Sequence, residues 1–262
     1  MRTLILIFFW ILASVAQADL YWQPEPTQGG GHGGPKKFQL IDQNPMAQRT
    51  ATLLHSDLQR SSLEPQGGLY LVKATGKNSY HVLIAQEQGS DFQHMAVRYL
   101  YFNGKPVDSS PSDLLAESLG ALEIVPDPLP REHWRYTSGK TYRFFVQFKG
   151  EPLKEQPVLV MTVLGSTEIL HTDTAGVLDI VIPDDFPSVV PGVRNNPPGE
   201  LRIFSELKRD GIGYQTSLST DYFVNQSSWK SANLGAGVAL GGLIFGLWLN
   251  RRLPAHSRRK KR

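Results

Sequence analysis

From Phe38 onward the apolar residues of this chain mostly recur at every second position, in short runs broken by Gly, Pro, Asp and Asn. A period of two places alternate side chains on opposite faces of a pleated strand, so it argues against a helical fold. The runs at 69–72, 80–85 and 95–102 lie in the first half, and those at 142–148, 158–164, 177–182, 199–207 and 217–224 in the second. Punctuation roughly every 8 to 15 residues predicts an antiparallel sandwich or barrel. Residues 69–72 and 80–85, separated by Thr75-Gly76-Lys77-Asn78, read as a hairpin. Helix is the minority element, expected only at 45–61 and at 111–119, where Ser112 is a candidate cap. The fold class is therefore mainly β, with one or two antiparallel β-sandwich modules: a first β-rich domain over 37–119 and a second over 120–226.

Cysteine is absent, which excludes disulfides, thiolate metal sites and cysteine nucleophiles. At the N-terminus Arg2, the apolar run 4–13 and Ala16-Gln17-Ala18 have the order of a cleaved signal peptide over 1–18, with Asp19 as the mature N-terminus. Residues 19–36, rich in Gly and Pro around His32, read as a flexible leader. Residues 232–249 carry no charge, are bracketed by Trp229 and Trp248, and precede a basic tail over 250–262. That order predicts a transmembrane helix whose tail stays inside and whose basic groups meet anionic lipid. Gly237-x-x-x-Gly241 and Gly242-x-x-x-Gly246 create helix faces on which another helix can approach closely, in a homo-oligomer or a membrane complex. Without Arg2 and the seven basic residues after Asn250, the 27 Lys+Arg fall to 19 against 24 Asp+Glu, a net −5. An acidic region between the two apolar ends argues against a nucleic-acid partner.

Catalytic motifs are missing. Gly139-Lys140-Thr141 resembles the end of a phosphate loop, but the required first glycine position holds Trp134. Neither Gly-x-Ser-x-Gly nor His-Glu-x-x-His occurs, and Asp184, Asp185 and Asp210 lie in turn-like segments. The protein therefore reads as a non-enzyme. His32, His55, His81, His94, His133 and His171 are scattered singly, although His81 and His94 can meet if their strands are neighbours.

Several segments follow in a fixed order: Gly120-Ala121-Leu122-Glu123-Ile124-Val125-Pro126, Ser138-Gly139-Lys140, Phe148-Lys149-Gly150-Glu151-Pro152-Leu153 and His171-Thr172-Asp173-Thr174-Ala175-Gly176. With the opening Ala18-Asp19-Leu20-Tyr21-Trp22-Gln23-Pro24, this set resembles a bacterial periplasmic family of unknown function associated with nickel or cobalt uptake. The resemblance covers 18–26 and 67–224, and its Gly-x-Pro-Leu and Thr-Asp-x-x-Gly elements recur in carboxypeptidase-regulatory-like and transthyretin-like sandwiches. It implies an immunoglobulin-like or transthyretin-like fold and a single-pass inner-membrane protein with a periplasmic N-terminal domain and a cytoplasmic tail. The implied role is that of a non-catalytic accessory in nickel- or cobalt-type metal handling beside a membrane transport protein. Members commonly carry histidine where this chain has Asp19, which weakens the metal inference. The residues here that can serve a divalent metal are Asp19 with the new amino group, His32, His81 and His94. The competing reading is a metal-free β-sandwich adaptor that docks a membrane or periplasmic protein through a strand edge.

Overall fold

A computed structural model describes residues 20–26, 35–42, 48–130, 135–192, 195–229 and 242–243. In chain order its elements begin with β1 (Leu20–Pro24), β2 (Lys36–Asp42), β3 (Gln48–Leu54), β4 (Arg60–Ser62), β5 (Leu69–Val72), β6 (Ser79–Gln88), β7 (Phe92–Phe102) and α1 (Pro111–Ala116). They continue with β8 (Leu122–Asp127), β9 (Tyr136–Thr137), β10 (Thr141–Phe148), β11 (Glu151–Pro152), β12 (Pro157–Thr162) and β13 (Thr167–His171). The series closes with β14 (Val177–Val181), β15 (Gly199–Arg209) and β16 (Ile212–Phe223).

The strands form three sheets. A nine-stranded sheet runs β13-β12-β15-β16-β7-β6-β3-β4, with β9 also beside β16. A four-stranded sheet is centred on β10, which pairs with β8, β14 and β11, and a three-stranded sheet runs β1-β2-β5. The two smaller sheets pack on opposite faces of the large one, and alternation along β6 and β7 shows why both must exist. Val82, Ile84, Met95 and Val97 enter a core shared with Ile124, Phe144, Val146 and Ile180 of the four-stranded sheet. Their neighbours Leu83, Ala85, Ala96 and Leu100 enter a second core with Trp22, Phe38 and Tyr70 of the three-stranded sheet. A strand apolar on both faces needs two covering layers to keep its side chains from water.

The segment read as a flexible leader supplies one of those covers. Leu20–Pro24 pairs antiparallel with β2, Trp22 opposite Leu40. Trp22 is 0% exposed, makes edge-on contacts with Phe38 and Tyr70, and donates from Nε1 to the Ala96 carbonyl at 3.1 Å. Ser217 and Ser219 of β16 donate their hydroxyls to the carbonyls of Leu20 and Trp22 at 2.7 and 2.9 Å. A Pro- and Gly-rich neighbourhood concealed a short buried strand, because its burial comes from residues far away in sequence.

Three further expectations are corrected. The proposed helix at 45–61 contains β3 and β4 instead: Ala51 and Leu53 face one core and Leu54 the other, an alternation no helix can present. The expected hairpin of 69–72 with 80–85 does not form, since β5 pairs with β2 while β6 pairs with β3 and β7. The connection between them crosses from one layer to another. It is held where Lys105 N–H donates to the Gly76 carbonyl and Asn78 N–H to the Lys105 carbonyl, both at 2.8 Å. Gly104 is required there, because a Cβ would stand 2.4 Å from the Gly76 carbonyl oxygen. The helix expected at 111–119 does form, as α1, but its cap is Ser110 and not Ser112. The Ser110 hydroxyl accepts from Asp113 N–H while the Asp113 carboxylate accepts from Ser110 N–H.

The boundary placed at 119/120 falls between α1 and β8, yet one sheet spans it. β7 hydrogen-bonds in parallel to β16, from Phe92 opposite Gly213 to Val97 opposite Leu218. The signal peptide and basic tail lie outside the described residues, as does the 232–249 span apart from Gly242 and Leu243. Among the described residues no helix is long and apolar enough to cross a membrane.

Candidate functional site

The metal ligands expected from the sequence are not drawn into one place among the described residues. Asp19, His32 and His133 lie outside them. His81 and His94 are on adjacent strands, but His81 stands opposite Leu100 and His94 opposite Glu87. That register sets them six residue steps apart along β7, roughly 20 Å at a strand's rise. Among the described residues no group of three or more His, Asp or Glu has the spacing to hold a metal ion.

His81 has a different companion, which the sequence did not reveal. Its side chain is 0% exposed and its ring lies 5.6 Å from that of His55, edge to face, in the turn after β3. Nδ1–H of His81 donates to the Ser79 carbonyl at 3.2 Å, which leaves Nε2 to accept from the Thr75 hydroxyl at 2.8 Å. Both nitrogens are satisfied by the neutral ring. Burial, outweighing the Ser79 carbonyl and reinforced by His55 and Lys77, pushes its pKa down to about 4. His55 shifts the same way for the same first reason, and its Nε2 pairs with the Ser61 hydroxyl at 2.8 Å. The pair is therefore neutral near pH 7 and built into the structure. The signal for it lay in two lone histidines whose strands, β3 and β6, pair with Leu54 opposite Val82.

The remaining buried polar groups also serve as braces. Glu123 accepts from the backbone N–H groups of Leu119 and Gly120 and from the Gln147 amide, fixing the entry to β8. Asp185 accepts from the Thr162 hydroxyl and the Tyr222 phenol, each at 2.5 Å, tying the segment after β14 to the sandwich. In each the carboxylate is held by fixed donors of the sandwich, and Thr162 and Tyr222 are themselves buried.

The surface offers a clearer feature at one lateral edge of the sandwich. β13 ends the large sheet and β14 lies at the border of the four-stranded one, and residues 172–176 join them directly. On β13 the even-numbered residues face β12, as the Thr172 N–H to Gln156 carbonyl bond of 3.1 Å shows. The backbone groups of Thr167, Ile169 and His171 consequently point outward. Ile169 is 57% exposed, Val181 of β14 59%, and Val163 at the β12–β13 turn 50%.

No family model and no curated protein matches the chain. Among solved structures it is similar to the D0-D1 domains of intimin, at 15% identity over 77% of this chain and 96% of that one, TM-score 0.25. It is also similar to two fibronectin type III domains of chicken tenascin, at 11% identity over 78% and 98%, TM-score 0.21. A Ca²⁺-stabilized adhesin with which an Antarctic bacterium binds ice matches at 10% identity over 79% of this chain and 49% of that one, TM-score 0.26. Scores this low carry no argument about activity or arrangement. The β-sandwich character of the chain rests on its own sheets.

Proposed function

We propose that this protein is a non-catalytic extracytoplasmic scaffold that binds a protein partner by adding the partner's strand to the open edge of β13. The signal peptide over 1–18 delivers it and the span over 232–249 holds it at the membrane, which places its partner there. The observation that carries this reading is the outward-facing edge of β13 with Ile169 more than half exposed. Unpaired edge groups supply affinity through main-chain hydrogen bonds, and an adjacent apolar side chain supplies selectivity. Resemblance to the nickel- and cobalt-associated family supplies the partner class, a membrane transport protein.

The test places a photo-crosslinking residue at position 169 of the full chain in native membranes, with Lys208 as the control position. A discrete adduct from position 169 alone that disappears when Thr167→Pro is added to the same chain is the expected result. Proline removes one outward N–H without touching the β12 ladder. Equal labelling from both positions, or an adduct indifferent to Thr167→Pro, overturns the edge-pairing reading.

A further inference from the structure

At the other end of the large sheet, away from β13, four neighbouring strands place polar side chains in one row. Gln48 of β3 stands opposite Gln88 of β6, Gln88 opposite Gln93 of β7, and Gln93 opposite Tyr214 of β16. Two positions further along, on the same face, Thr50, Gln86 and Met95 form a parallel row. Strands about 4.8 Å apart set the spacing of the amides, and the sheet beneath makes the grid rigid. The segment from Leu119 into β8 rises beside this platform as a wall. Gln86 Nε2 donates to the Leu119 carbonyl at 2.7 Å, and a Cβ on Gly120 would stand 2.8 Å from Met95 Sδ, so wall and platform are in contact. Between them is a cleft of about 200 Å³.

The chemistry of the lining narrows its occupant. A primary amide has two donors and an acceptor and no charge, so it suits a group that donates and accepts at once, as a hydroxyl does. Glu87, between Gln86 and Gln88, turns its carboxylate to the other face of the sheet, where Arg49 Nε reaches its Oε1 at 2.7 Å and Arg49 also engages Asp42. No hydrogen bond to the side-chain amides of Gln48, Gln88 or Gln93 is formed among the described residues, and Gln48 and Gln88 are exposed. Met95, Leu122 and the Tyr214 ring are almost wholly buried in the core beneath the row, so the glutamines dominate what the cleft presents. Nucleic acid and acidic polymers need cations that this lining lacks, and an apolar ligand would leave the amides without partners.

We infer that this cleft is a binding site for a neutral carbohydrate, its hydroxyls met by the uncharged amides of the glutamine row. The site is separate from the β13 edge, and its occupancy does not depend on a protein partner.

The experiment titrates the full chain, in a detergent without a sugar headgroup, with maltohexaose, cellohexaose, hexa-N-acetylchitohexaose and xylohexaose, and with a heparin hexasaccharide as the anionic comparison. Saturable binding of at least one neutral hexasaccharide is expected, weakened about tenfold or more by the double substitution Gln88→Ala with Gln93→Ala at an unchanged thermal midpoint. Both glutamines are outside the cores, so the variant keeps the fold. Failure of all four neutral probes to bind, preference for the heparin fragment, or binding that the double variant leaves intact overturns the assignment.

Discussion

His81 shows how burial decides what a residue does. In sequence it stands in an apolar run and is a candidate ligand, whereas in the fold its two nitrogens are bonded to Thr75 and Ser79 and its ring meets His55 and Phe102. Its folded pKa of about 4 lies below the ordinary imidazole value of 6.5, so between these values the unfolded chain binds the proton that the folded one refuses. Stability is therefore full above pH 6.5 and falls as pH drops toward 4, by on the order of 3 kcal/mol. His55, shifted the same way, adds to the slope. Urea midpoints measured from pH 7 to pH 4 should decline in the wild type and decline distinctly less in His81→Gln. An identical slope in the variant would place the titration elsewhere. That both nitrogens of His81 are bonded was illegible in sequence, because the groups that satisfy it depend on where the chain turns at Thr75.

At the scale of elements, the existence of strands was readable and their partners were not. The alternation at 95–102 and 142–148 led directly to β7 and β10, since a two-residue period survives any choice of neighbour. The choice between hairpin and crossover at 73–78 turns on a contact with Gly104 and Lys105, nearly thirty residues away by roughly counting along the chain, which local pattern does not encode. β1 is the extreme case. Its Leu20 and Trp22 carbonyls are satisfied by serines about two hundred residues later, and those buried serines make sense only through β1. Replacing both, Ser217→Ala with Ser219→Ala, leaves two buried carbonyls without donors at a cost of roughly 1–3 kcal/mol each. Hydrogen exchange should then quicken at the backbone amides of 20–24 and stay unchanged across β10. Unaltered protection of β1 would show that Trp22 alone holds it.

For the whole molecule, the parallel pairing of β7 with β16 makes both halves of the chain members of one sheet. The larger core mixes Val82 and Val97 from the first half with Phe144 and Ile203 from the second, so neither half keeps its apolar surface dry alone. Calorimetry should therefore record one cooperative transition, with calorimetric and van't Hoff enthalpies in agreement. Two resolved transitions would mean that the boundary near residue 120 separates independent units. The sequence by itself determined the mainly β class and the absence of cysteine chemistry. It also set the strand-forming segments of the second half, because each is a property of neighbouring residues. Tertiary structure alone decided that the leader contributes a buried strand and that His81 pairs with His55 and not with His94. It alone also lined up Gln48, Gln88 and Gln93 across three strands and left β13 at the edge of its sheet among the described residues. The physical reason is that strand pairing joins residues without regard to their separation along the chain, and local periodicity does not specify which strands will meet.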